Sequence, residues 1–215
     1  MKNPIALFDF DGVLMNTEIH YTEFWNNAHS RGIVDVDVPN FGHVIKGMTL
    51  VQIFERYFQH YTQSQREELE AIIDDFERNM PYEYIPGVWE FMTSLKEAGV
   101  PMAIVTSSNA KKMENVKRAH PELIEIVDKV LMSGDFTKSK PDPECFLKAM
   151  ELLGGTPENS IVFEDSIHGL NAGRASGAFV VGLATSNPRE VIEPLCDLII
   201  DSFEEISYPI LKQIC

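Results

Sequence analysis

Cationic side chains are scarce in this sequence: 18 Lys and Arg stand against 33 Asp and Glu, a formal net charge of −15 over 215 residues. A surface so acidic repels the phosphate backbones of DNA and RNA and excludes general nucleic-acid binding. It leaves room for a small anionic substrate, provided that a metal and a few local cations offset the field. Cysteine is also rare. Cys145, Cys196 and Cys215 are odd in number and far apart, which excludes a disulfide framework and suits free thiols in a reducing cytoplasm. None sits beside a histidine or in a glycine-rich turn, the settings that would activate a cysteine nucleophile. Long apolar runs are missing as well. The first short one, after Met1-Lys2-Asn3-Pro4, is broken at once by Asp9 and Asp11, so it reads neither as a signal peptide nor as a membrane span. There is no internal repeat and no low-complexity segment. The expectation is a soluble cytoplasmic protein, a monomer by default, with no nucleic-acid or membrane partner.

What the sequence does have is core material. At 44% hydrophobic residues it can bury enough apolar surface to fold without disulfides, as one domain or as one domain carrying an insertion. Short apolar runs that read as buried strands occur at 5–8, 102–105, 129–132, 160–163, 179–183 and 197–200. Helix-length stretches at 87–98, 110–120, 143–153 and 167–176 separate most of them. Such alternation predicts an α/β fold, a parallel sheet covered on both faces by helices, with ligands bound beyond the carboxyl ends of the strands. One segment breaks the alternation. From 16 to 84 only helical spacing is seen: Tyr21, Phe24, Trp25 and Ala28, then Leu50, Ile53, Phe54, Tyr57 and Phe58, then Leu69, Ile72, Ile73 and Phe76. The expected organisation is a core of 1–15 and 85–215, with a helical cap of 16–84 inserted after the first strand. Pro81 and Pro86 mark its return to the core.

Polar residues follow directly on several of these strands. Asp9 and Asp11 stand at i and i+2 where the first strand ends, a spacing that projects both to one side of an extended chain. Carboxylates concentrated there raise one another's pKa unless a cation is present. Magnesium, which takes oxygen ligands, resolves that problem and suits a phosphate substrate. Gly12 allows close backbone approach. The second strand ends in Thr106-Ser107-Ser108, with Asn109 next, a set of hydroxyls and N–H groups that can donate to phosphate oxygens. Lys140 precedes Pro141-Asp142-Pro143 just before a helix and can neutralise a phosphate together with a nucleophilic carboxylate. Glu164-Asp165-Ser166 ends a further strand and offers more hard-oxygen ligands. Convergent acid, cation and metal groups at neighbouring strand ends describe phosphoryl-transfer chemistry.

In these four ordered motifs, Asp9-Phe10-Asp11-Gly12-Val13-Leu14, Thr106-Ser107-Ser108, Lys140-Pro141-Asp142-Pro143 and Phe163-Glu164-Asp165-Ser166, the sequence resembles the haloacid dehalogenase superfamily of phosphotransferases. The resemblance spans nearly the whole chain, and the insertion is similar to the cap of the β-phosphoglucomutase-like branch. It implies a three-layer, Rossmann-like core and a magnesium cofactor. It implies Asp9 as the nucleophile that becomes an aspartyl-phosphate, and Asp11 as general acid and base. It implies Thr106 and Lys140 as holders of the phosphoryl oxygens. The implied metal ligands are Asp9, the backbone carbonyl of Asp11, and Asp165, with Glu164 ligating or adjacent.

Within that branch the choice lies between a phosphatase and a phosphohexomutase. Mutases of the branch typically carry an arginine two residues beyond a Lys-Gly pair in the cap loop; here Lys46-Gly47-Met48-Thr49-Leu50 has none before Arg56. Asn109 stands where they often have a lysine, and Tyr21 where they have a histidine. The expectation is therefore a phosphatase acting on a small phosphorylated metabolite, with Lys46 as the cap residue that touches substrate. A dehalogenase would have no use for Asp11 or the Glu164-Asp165 pair. A phosphate-binding protein without turnover is the non-enzymatic alternative. His20 and His43 read as structural, Trp25 and Trp89 as packing.

Overall fold

The computed structural model describes residues 4–214; Met1, Lys2, Asn3 and Cys215, on which the leader and third-thiol expectations touch, lie outside them. In chain order the principal elements are β1 (Ile5–Phe8), α1 (Glu18–Ala28), α2 (Phe41–Val44), α3 (Leu50–Tyr57), α4 (Gln63–Asn79) and α5 (Val88–Glu97). Next come β2 (Met102–Val105), α6 (Ala110–Ala119), α7 (Pro121–Ile126), β3 (Lys129–Leu131), α8 (Glu144–Leu152), β4 (Ser160–Glu164) and α9 (Ile167–Ser176). The chain finishes with β5 (Phe179–Leu183), α10 (Arg189–Ile192), β6 (Leu198–Ile200) and α11 (Tyr208–Ile214). The strands form one six-stranded sheet in the order β3-β2-β1-β4-β5-β6, and every neighbouring pair is parallel. The α/β expectation is met, in the Rossmann-like strand order.

Side chains alternate across a strand, so β1 buries both its faces. Ala6 and Phe8 join the apolar cluster shared with Phe91 and Leu95 of α5 and Val116 of α6. Ile5 and Leu7 join the opposite cluster, with Phe146 and Ala149 of α8 and Ala172 of α9. Three layers follow from a strand that is apolar on both sides. The strand order reverses at β1, which pairs with β2 on one side and β4 on the other. That reversal leaves a crevice at the carboxyl end of β1, the usual ligand site of such sheets.

Helices α1 to α4 occupy the stretch between β1 and α5. They hold a cluster of their own, in which Phe24, Trp25, Phe41, Phe54, Phe58, Leu69 and Ile73 are buried. Trp25 meets Phe41 edge-on at 5.5 Å, and Phe24 stacks on Phe76 at 4.6 Å. Two of these helices start on full capping boxes, Thr49 with Gln52 for α3 and Thr62 with Gln65 for α4. Each box satisfies otherwise orphaned N–H groups, so the helices begin where the sequence places those threonines. The segment returns alongside its point of departure: Asn16 N–H donates to Glu83 O and Ile85 N–H to Leu14 O. Cys145 is buried and Cys196 half-buried, both free. Among the described residues no helix is long and apolar enough to cross a membrane.

Candidate active site

The ends of β1, β2 and β4 meet around one lysine. Lys140 is buried, and its Nζ donates to Asp9 Oδ1 and to Glu164 Oε1, each at 2.6 Å, and to Val105 O at 3.0 Å. One ammonium thus ties together the ends of β1, β2 and β4. Burial alone would pull its pKa down, but the carboxylates of Asp9 and Glu164 outweigh that and push it up. Asp9 is held in place by its N–H, which donates to Phe163 O at 3.0 Å. Burial pushes the Asp9 carboxyl up to about 8, Lys140 opposes the rise, and Glu164 and Asp11 add to it. Asp165 is pushed well above the carboxylate range by burial, with Glu18, Glu164 and Asp9 adding to it.

Asp9, Glu164 and Asp165 each offer an oxygen within 4.8 Å of the others, and all three are buried. Several hard oxygens crowded into a dry site with only one lysine between them are short of positive charge, and a divalent cation taking oxygen ligands fits that deficit. The three do not contribute alike. Glu164 spends Oε1 on Lys140 and Oε2 on the N–H groups of Asp165 and Ser166 and the Ser166 hydroxyl. Its first duty is to hold the turn that presents Asp165. Asn187 steadies the same turn by donating to Asp165 O at 2.9 Å.

Asp11 points elsewhere. Its carboxylate accepts from Lys112 at 2.5 Å, from the Ser108 hydroxyl at 2.9 Å and from the Thr17 hydroxyl. Its side chain therefore stands apart from the three clustered carboxylates. Thr106 is buried and its Oγ1 accepts from Ser108 N–H, which shapes the turn after β2. Ser107 donates to Gly47 O of the α2–α3 loop at 3.2 Å.

Two expected phosphate contacts have other work in this geometry. The Asn109 side chain caps α6 by accepting from Lys112 N–H at 2.9 Å. Gly12 donates its N–H to Met15 O, and its φ of +74° turns the chain under the site. A Cβ there would lie 2.1 Å from Asp165 Oδ2; glycine serves close packing against the metal-cluster carboxylate.

Over these strand ends lies a cavity of about 400 Å³, walled by Asp9, Asp11, Thr106, Ser107, Ser108, Lys46 and Asp165 together with residues of α1, α3 and α4. Lys46 and Asn109 are thus brought to the same space, whereas Gly12, Lys140 and Glu164 are not among its lining residues. The Lys46 Nζ lies 3.5 Å from Glu18 and 3.3 Å from Ser186 O. His20 and His43 do not line the cavity; Trp25 does so from within the aromatic cluster of the helical segment.

Sequence reasoning missed several charged residues of the wall, among them Glu18, Glu77 and Lys112. Burial pushes Glu18 up to about 7, with Asp11 adding to the rise and Lys46 and Lys112 opposing. Lys112 is buried against Asp11, with its ammonium 4.4 Å from the Tyr21 ring centre. A signal for it existed: side chains lean toward a helix N-terminus, so a first-turn lysine on α6 is aimed at the strand ends. Glu77 follows Leu69 and Ile73 at intervals of four, a carboxylate in an otherwise apolar stripe.

Comparison with known proteins agrees with this geometry. The chain is 28% identical over 211 residues to validoxylamine A 7'-phosphate phosphatase of Streptomyces hygroscopicus subsp. limoneus, covering 95% of this chain and 96% of that one. It is 30% identical over 183 residues to a phosphorylated carbohydrates phosphatase of Thermotoga maritima, covering 80% and 81%. Its fold superposes on a HAD hydrolase, family IA, variant 3, from Entamoeba histolytica with a TM-score of 0.82, 25% identity and 98% of both chains covered. The model of the haloacid dehalogenase-like hydrolase family matches residues 6–183, from β1 through β5 and all four motifs, and the chain belongs to that family.

Proposed function

We propose that the protein is a magnesium-dependent phosphoric monoester hydrolase acting on a small phosphorylated metabolite, with sugar phosphates among its candidates. One observation carries the reading: Asp9, Lys140 and the Glu164-Asp165 turn converge beneath a cavity large enough for such a substrate. The phosphatases among its relatives support it. Residues 16–84 act as the cap, and residues 1–15 with 85–215 as the catalytic core. The free thiols of Cys145 and Cys196 support a cytoplasmic location.

In this reading an Asp9 carboxylate oxygen attacks phosphorus, forming an acyl phosphate as the bond to the alcohol oxygen breaks. Asp11 gives a proton to the departing alkoxide. Asp11 then takes a proton from water, which attacks the phosphorus; phosphate leaves and the Asp9 carboxylate is restored. Lys140 neutralises charge on Asp9 and on the phosphoryl oxygens, while the Thr106–Ser108 turn supplies N–H and hydroxyl donors. Magnesium, held by Asp9, the Asp11 carbonyl and Asp165 with Glu164 adjacent, would keep the carboxylates ionised and stabilise phosphoryl charge. The cap restricts water and positions the leaving group.

The test is phosphate release from 4-nitrophenyl phosphate in the presence and absence of magnesium, for the native protein and for Asp9→Asn. Release should need magnesium and vanish in the variant. Undiminished release by Asp9→Asn would end the assignment.

A further inference from the structure

The cavity wall is unusual in how its charges are matched. Each of its three lysines faces a carboxylate: Lys46 with Glu18 at 3.5 Å, Lys111 with Asp74 at 2.6 Å and Lys112 with Asp11 at 2.5 Å. No arginine lines it among the described residues. Arg56, the first arginine after the cap loop, instead lies over the Tyr57 ring at 5.5 Å. A second phosphate entering this space would find every cation already engaged.

Carboxylates, by contrast, are in surplus. Glu70, Asp74 and Glu77 occupy positions i, i+4 and i+7 of α4, so they share one helix face, and all three line the cavity. Asp74 pairs with Lys111 at 2.6 Å, while Glu70 acts on the same lysine only at longer range. Glu77 is 5% exposed. Its Oε1 accepts from the Tyr21 hydroxyl at 2.6 Å, while its Oε2 is buried with no hydrogen-bond partner. A buried oxygen left so costs free energy unless something in the cavity donates to it. Met48, Leu50 and Val51 also line the cavity and give it apolar surface.

We propose that the alcohol half of the substrate is a hydrogen-bond-donating group, hydroxylated or ammonium-bearing, with no second anion. The Glu70-Asp74-Glu77 face of α4 reads it, with Glu77 Oε2 accepting a hydrogen bond from it and Met48, Leu50 and Val51 covering its carbon face. The proposal rests on the phosphatase reading above. It also makes the site a poor host for the bisphosphate that a phosphohexomutase must turn over, since rejection of a wrong ligand here comes from unmatched carboxylates rather than from missing space.

Four six-carbon probes separate the outcomes: sorbitol 6-phosphate, glucosamine 6-phosphate, 6-phosphogluconate and fructose 1,6-bisphosphate, each assayed for phosphate release with magnesium. The first two should exceed the last two in kcat/KM by at least about tenfold. Glu77→Leu and Glu70→Gln should each raise KM for sorbitol 6-phosphate and shrink its advantage over 6-phosphogluconate by about threefold or more, and either variant suffices should the other fail to fold. A native protein that treats 6-phosphogluconate or the bisphosphate within about twofold of sorbitol 6-phosphate overturns the proposal, as does an advantage unmoved in both variants. Calorimetric binding of the same four probes to Asp9→Asn with magnesium should keep the same order. Binding in that order without turnover by the native protein removes the phosphatase reading alone; turnover without any charge preference removes this inference alone.

Discussion

Lys140→Met is the most demanding perturbation of the site. Methionine keeps much of the aliphatic bulk that lies against the Phe146 ring, 5.0 Å from the ammonium, and deletes only the charge and its three hydrogen bonds. What remains is Asp9 and Glu164, two buried carboxylates with no cation between them. Removing one partner of a buried ion pair costs about 3–5 kcal/mol, because the other charge stays desolvated. For a chain of this length each kcal/mol moves the melting temperature by about 2–4 °C, so a fall of roughly 10 °C is expected in metal-free buffer. Glu164→Gln added to Lys140→Met should restore part of that loss, since one of the stranded charges is gone. Scanning calorimetry on the native protein, both single variants and the double variant closes the cycle. In magnesium buffer the single lysine variant should also lose about 10²–10³ in kcat, the usual toll of deleting a donor to transition-state oxygens. A Lys140→Met protein that melts within about 2 °C of the native one would refute the view that this lysine holds the strand ends together.

Two further outcomes concern the carboxylates. Asp9 and Asp165 have pKa values raised by burial, Asp9 from 3.8 to about 8, so the metal-free folded state holds protons that the unfolded chain has already released between about pH 4 and pH 8. Stability without metal should therefore fall as pH rises through that window; the rise in melting temperature on adding magnesium should be larger at about pH 8 than at about pH 5, and an equal or reversed effect would count against the cluster as the binding site. Gly12→Ala puts a Cβ 2.1 Å from Asp165 Oδ2 at a φ of +74°, so it should destabilise the fold by about 1–3 kcal/mol and weaken the magnesium-induced shift; an unchanged shift would detach Gly12 from the metal cluster.

The sheet was legible in the sequence because its strands are short, apolar on both faces and bounded by polar residues, so β1, β2, β4 and β5 announce themselves. The cluster at their ends was legible for the same reason: Asp9, Thr106 and Glu164 terminate apolar runs, and in a parallel sheet such ends must be neighbours. The helical stretch after β1 was visible through its aromatic spacing, although α2 within it, and α7 between α6 and β3, at four and six residues, are too short for periodicity to reveal. What could not be read was the pairing of charges across the chain. Lys112 meets Asp11 over a separation of 101 residues, and Lys111 meets Asp74 over 37. The first-turn place of Lys112 on α6 aims it at the strand ends, but nothing local names its partner, and nothing local sets Lys111 apart from a solvated lysine. Asn109 and Gly12 show the complementary difficulty: a cap and a tight turn use the same residue types as a phosphate cradle.

Phe8 of β1 stands opposite Phe163 of β4, with the two rings stacked 4.7 Å apart and 13° from parallel. The next residues along the two strands are Asp9 and Glu164. Sliding β4 by a single residue would carry Phe163 to the other face of the sheet and unstack the rings, so the phenylalanine pair penalises a slipped β1–β4 register. Those same slips would carry Glu164 away from the ammonium it shares with Asp9. The hydrophobic match of two rings thus sets the carboxylates as well: a molecule that has folded with Phe8 on Phe163 has, by the same act, brought Asp9 and Glu164 to one ammonium.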